Sequence, residues 1–107
     1  MKLTMATKSE LIELAKSLEH GKQIDFCNEC EPDDNGEYLE ENGESWFCIG
    51  FTSFRDSNML CIGGYSNPVM CVDDDEYGYM DLPKMIDNYW QSGEFGDSVY
   101  YCIVDGD

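Results

Sequence analysis

Residues 7–20 place Leu11, Ile12, Leu14, Ala15 and Leu18 on one face at helical spacing. Thr7 followed three positions later by Glu10 is a capping-box pair, and Gly21 supplies the stop. Ile24–Cys27 alternates weakly and reads as a short strand. Three apolar runs follow, Trp46–Phe51, Met59–Ile62 and Val69–Val72, separated by turn-forming Arg55–Asn58 and Gly63-Gly64 to Asn67-Pro68. Such close spacing predicts antiparallel hairpins. Asp81 reads as the N-cap of a second helix reaching Gln91, with Pro83 in its first turn and Gly93 at its end. Leu82, Met85, Ile86, Tyr89 and Trp90 share its apolar face. The last run, Ser98–Val104, alternates as a strand, with Val99, Tyr101 and Ile103 on one side.

Helix, strands, helix, strand is an α+β order. It predicts an antiparallel sheet of about four to five strands with two helices on one face. The expected core is Trp46, Phe47, Ile49, Phe51, Leu60, Ile62, Met85, Ile86, Trp90, Val99, Tyr101 and Ile103. At 107 residues the chain is expected to form a single domain, residues 1–107. Seven Tyr, five Phe and two Trp are enough to build one core, which a disordered acidic tail would lack.

Charge changes the picture most. There are 23 acids against 6 bases, a net of −17. Four bases (Lys2, Lys8, Lys16, Lys22) fall in residues 1–22, so nearly all the negative charge lies beyond them. It concentrates in two surface segments, 28–45 and 73–81. The first holds Glu29, Glu31, Asp33, Asp34, Glu37, Glu40, Glu41 and Glu44 with no base, punctuated by Pro32, Asn35-Gly36 and Asn42-Gly43. Gly36 to Leu39 could add a short edge strand. The second opens on Asp73-Asp74-Asp75-Glu76 and runs to Asp81. A folded chain of this mass exposes roughly 6,000 Å², or about one net negative charge per 350 Å². Duplex DNA carries one per roughly 105 Å². Acids gathered on a third of the surface would approach it. A net charge of magnitude roughly 2–8 is enough for solubility, so this excess points to a use.

Such a surface repels nucleic acid and anionic membranes and attracts basic proteins. The partner-binding candidates are therefore the acids of the two segments, Glu29 to Glu44 and Asp73 to Glu76, with Asp81. Tyr38, Tyr77 and Tyr79 are the aromatic anchors beside them. No apolar stretch is long enough for a membrane span or a signal peptide, so a cytoplasmic location and six free thiols are expected.

Other chemistry is thin. Cys27-Asn28-Glu29-Cys30 is one CxxC pair, half of a zinc site, and Cys27 and Cys30 are the weak metal candidates. Glu31, Asp33, Asn35 and Gly36, or Asp73, Asp75 and Gly78, partly match a calcium loop, but both patterns break before the bidentate Glu. His20 is the only histidine, expected to cap the first helix. No nucleophile elbow or phosphate loop occurs. No cofactor and no enzymatic activity are expected.

In its acidic runs, Glu29–Glu44 and Asp73–Glu76, and its small α+β frame, the chain resembles as a class the acidic inhibitors of phages and mobile elements, the anti-CRISPR and anti-restriction proteins. The resemblance is compositional, covers residues 28–81 and transfers no residue role. It implies a DNA-mimic inhibitor that occupies the basic nucleic-acid-binding surface of an enzyme such as a CRISPR or restriction effector. An immunity protein that neutralises a nuclease toxin would share this mechanism. A small zinc- or calcium-binding module is the alternative of another class.

Overall fold

A computed structural model describes residues 2–28, 30–38, 46–51, 60–64, 70–71, 82–92 and 94–106. The elements are β1 (Thr4–Thr7), α1 (Lys8–Lys16), β2 (Lys22–Cys27), β3 (Phe47–Phe51), β4 (Leu60–Gly64), β5 (Met70–Cys71), α2 (Leu82–Ser92) and β6 (Ser98–Asp105). The strands form one sheet in the order β1-β6-β2-β3-β4-β5, and every neighbouring pair is antiparallel. The expected α+β architecture is what the chain adopts.

Both helices lie on one face, because the inward residues of the strands and helices share a single core. Ile24 and Phe26 of β2, Phe47 and Ile49 of β3, Ile62 of β4 and Val99 of β6 meet Leu11 and Ala15 of α1 and Leu82, Met85, Ile86 and Tyr89 of α2. Period-two alternation in the strands and i, i+3, i+4 spacing in the helices put these residues inside. Phe95 closes one end of the core, edge-on to Phe47 at 5.0 Å and to Trp90 at 5.3 Å between centroids. Trp90 is half-buried, and its indole N–H donates to the Gly96 carbonyl at 2.8 Å. Lys8 and Asp87 tie the two helices at 2.7 Å.

The capping box forms as the sequence predicts. Thr7 Oγ1 accepts from the Glu10 amide at 3.2 Å, and Glu10 Oε1 accepts from the Thr7 amide at 3.1 Å. The helix stops four residues short of the expected position. α1 ends at Lys16, and Ser17, its C-cap, donates through Oγ to the carbonyls of Glu13 and Leu14. Gly21, at φ +87°, serves instead the turn into β2. His20 thus lies beyond the end of α1, and its ring stacks on Phe51 at 3.8 Å.

Three further expectations are corrected. Gly63-Gly64 is not a turn: both glycines are strand residues of β4, facing Cys48 and Phe47. β1 has no counterpart among the elements expected from the sequence. Ile103, expected in the core, is 48% exposed, because α1 ends before it can cover the far half of β6. Trp46, Phe51, Leu60, Trp90 and Tyr101 are half-buried, at the rim of the packed region. Among the described residues no helix is long and apolar enough to cross a membrane.

Candidate functional site

On the sheet face away from the helices lies a second, smaller core of Leu3, Cys27, Cys30 and Tyr38, with Trp46, Tyr100 and Cys102 packed against it. It anchors the described part of the first acidic segment. Cys27, the last residue of β2, is disulfide-bonded to Cys30 with their Cα atoms 5.9 Å apart, well inside the range a disulfide accepts. Cys61 is disulfide-bonded too, and Cys71 stands opposite it in the β4–β5 register. The expectation of six free thiols therefore fails at Cys27, Cys30 and Cys61. The weak metal candidates Cys27 and Cys30 fail with it, since a bonded sulfur offers no thiolate. Cys48 and Cys102 remain thiols. Burial pushes the Cys48 thiol above its ordinary range, and Asp25 beside it adds to the effect, so Cys48 is a poor nucleophile.

Past Cys30 the chain makes a tight, heavily bonded turn. Asp33 Oδ1 accepts from the amides of Asn35 at 2.8 Å and Glu37 at 2.9 Å. The Asp33 amide donates to the Glu37 carbonyl at 2.8 Å, and the Gly36 amide to the Asp33 carbonyl at 2.9 Å. The turn is clasped to the first residues of the chain. The Leu3 amide donates to the Gly36 carbonyl at 2.8 Å, and Lys2 forms a single bridge with Glu37. Gly36 sits at φ +83°, and a Cβ there would meet the Leu3 carbonyl at 2.9 Å. The expected strand from Gly36 to Leu39 reduces to that one bridge in its described part.

Glu31, Asp33, Asp34 and Glu37 are all exposed or partly exposed on this turn. Sequence reasoning expected one or two patches from residues 28–45 and 73–76, and these four members of the first segment lie on one turn. It missed that Asp33 is committed to its own backbone. The signal was present in Asp33-Asp34-Asn35-Gly36, an Asx-turn pattern. The structure also reverses the expectation for Tyr38. Its side chain is 6% exposed and lies edge-on to Trp46 at 6.1 Å, so it anchors the turn rather than a partner. Among the described residues no three His, Cys, Asp or Glu side chains converge as metal ligands would.

Glu29, Glu40, Glu41 and Glu44 of the first segment lie outside the described residues, as do Asp73, Asp74, Asp75, Glu76, Tyr77, Tyr79 and Asp81 of the second. Four of the candidate carboxylates thus share one turn, fixed by a disulfide, a clasp and a buried tyrosine. No protein family, curated protein or solved structure matches this chain.

Proposed function

We propose that this chain is a protein-binding inhibitor, not an enzyme, which occupies the basic nucleic-acid-binding surface of a nuclease or of a CRISPR or restriction effector. The observation that carries the reading is the fixed acidic turn. Exposed carboxylates on a floppy loop would lose conformational freedom on binding; here the disulfide and the Asp33 hydrogen bonds restrict that freedom beforehand. The net charge of −17 supplies long-range steering toward a cationic groove.

The test is a competition titration. A partner is first isolated by pull-down from a host lysate, and nucleic acid and this protein are then titrated against each other on it. Each ligand should displace the other, and the association rate should fall as salt rises. Replacing Glu31 and Glu37 by Gln and Asp34 by Asn should weaken binding and leave the fold intact, since none of the three is buried. Simultaneous binding of both ligands with unchanged affinities would refute mimicry.

A further inference from the structure

β6 is covered unequally along its two edges. On one side β2 pairs with Tyr100–Asp105; on the other β1 pairs only with Ser98–Tyr101. Beyond Thr4 the chain turns away from β6, because Leu3 and Lys2 bond to Gly36 and Glu37 instead. The Gly106 amide donates to the Gly21 carbonyl at 2.8 Å, and this fixes which way each residue of β6 points. Backbone groups alternate along a strand, so Cys102 and Val104 face β2 while Ile103 and Asp105 face the other way. Among the described residues, the N–H and C=O of Ile103 and Asp105 meet no strand.

This bare edge borders an apolar groove. Two depressions of about 460 and 260 Å³ run along α1 and share Leu14 and Ser17 in their walls; Tyr101 lines the first and Ile103 the second. Glu10 and Glu13 line the first depression, and Glu19 and Lys22 the second. The nearby bases are already engaged, Lys16 with Glu13 at 3.4 Å and Lys22 with Asp105 at 2.6 Å. Open edges are usually blunted by Lys or Pro, or by a short strand. Here the edge offers a half-exposed isoleucine beneath a carboxylate rim.

We propose that this half of the β6 edge is a docking site for an extended, Lys/Arg-bearing segment of a partner protein, which adds to the sheet in line with β1. Main-chain bonds to Ile103 and Asp105 hold the segment, and alternate apolar side chains enter the groove beside Leu14 and Ile103. Its basic residues meet Glu10, Glu13 and Glu19. A second copy of this chain is the poorer occupant, because it brings its own net charge of −17 to an acidic rim. The site is separate from the acidic turn and stands independently of the function proposed for it.

The probe is an acetylated, amidated heptapeptide of alternating Lys and Val, titrated into the whole chain and followed by backbone amide shifts and hydrogen exchange. In the free chain the amides of Ile103 and Asp105 should exchange at least about a hundredfold faster than those of Cys102 and Val104. The peptide should shift and protect those two amides. Methylating its backbone nitrogens at alternate positions should weaken binding at least about tenfold, as should replacing Lys by Glu. The variant E31Q/D34N/E37Q should bind the peptide unchanged. Slow exchange of Ile103 and Asp105 in the free chain would show the edge already covered and overturn the proposal. So would absence of binding, equal binding of the methylated peptide, or shifts confined to residues 31–37.

Discussion

Gly36 shows how much one residue can decide. Its φ of +83°, and the 2.9 Å that would separate a methyl group there from the Leu3 carbonyl, leave no room for a side chain. Gly36→Ala should cost about 1–3 kcal/mol and lower the melting temperature by several degrees. It should also free the Leu3 amide for exchange. An unchanged melting temperature would show that the clasp contributes nothing. Tyr89 makes a second prediction at this scale. It is 2% exposed, and burial, with a smaller contribution from Cys48, pushes its hydroxyl up to about 12. The unfolded chain releases this proton near pH 10, so between pH 10 and 12 the folded state binds more protons than the unfolded one. Stability must fall as pH rises through that window. Tyr89→Phe should flatten the fall, and a melting temperature with the same alkaline slope in both proteins would contradict the assignment.

Among the elements, legibility followed the strength of the local pattern. α2 and β6 could be read because their apolar residues repeat with a clean period, and α1 because Thr7 and Glu10 announce its start. β1 could not. Thr4-Met5-Ala6-Thr7 has one buried side chain, Ala6, and owes its strand form to pairing with residues more than ninety positions away. The site was legible only as composition. The four acids were found, but their rigidity rests on partners elsewhere: Leu3 to Gly36, Cys27 to Cys30, Tyr38 to Trp46. The disulfide was misread because compartment, not geometry, guided the expectation. Its closed loop is short, so replacing Cys27 and Cys30 by Ala should cost about 2 kcal/mol. The loss should centre on residues 30–38, leaving exchange protection in β3 and α2 nearly intact. Equal loss of protection throughout would mean that the small core and the main core unfold as one unit.

For the molecule as a whole, like-charge repulsion is the dominant electrostatic fact. Three described ion pairs hold Lys8, Lys16 and Lys22, and their side chains are all at least two-fifths exposed. Exposed pairs of this kind are screened by solvent, contribute little, and cannot offset a net charge of −17. Added sodium chloride should therefore raise the melting temperature between about 10 mM and 0.5 M while it slows partner association. A melting temperature that falls over that range would mean that the ion pairs outweigh the repulsion. The two helices and the sheet they cover carry the stability, and the small core across the sheet carries the acidic turn.

The strand order also sets a timetable for biosynthesis. Among the described strands β6 is the last to leave the ribosome, yet it sits between β1 and β2, the first two made. Among the described strands, β1 has no neighbour until residues 98–105 emerge, and β2 has only β3. The nascent chain can form hairpins and helices early, but it cannot close the sheet until synthesis has passed Asp105. During that interval the β6-facing edges of β1 and β2 have no strand to pair with, which is the condition under which an incomplete sheet is prone to mispairing.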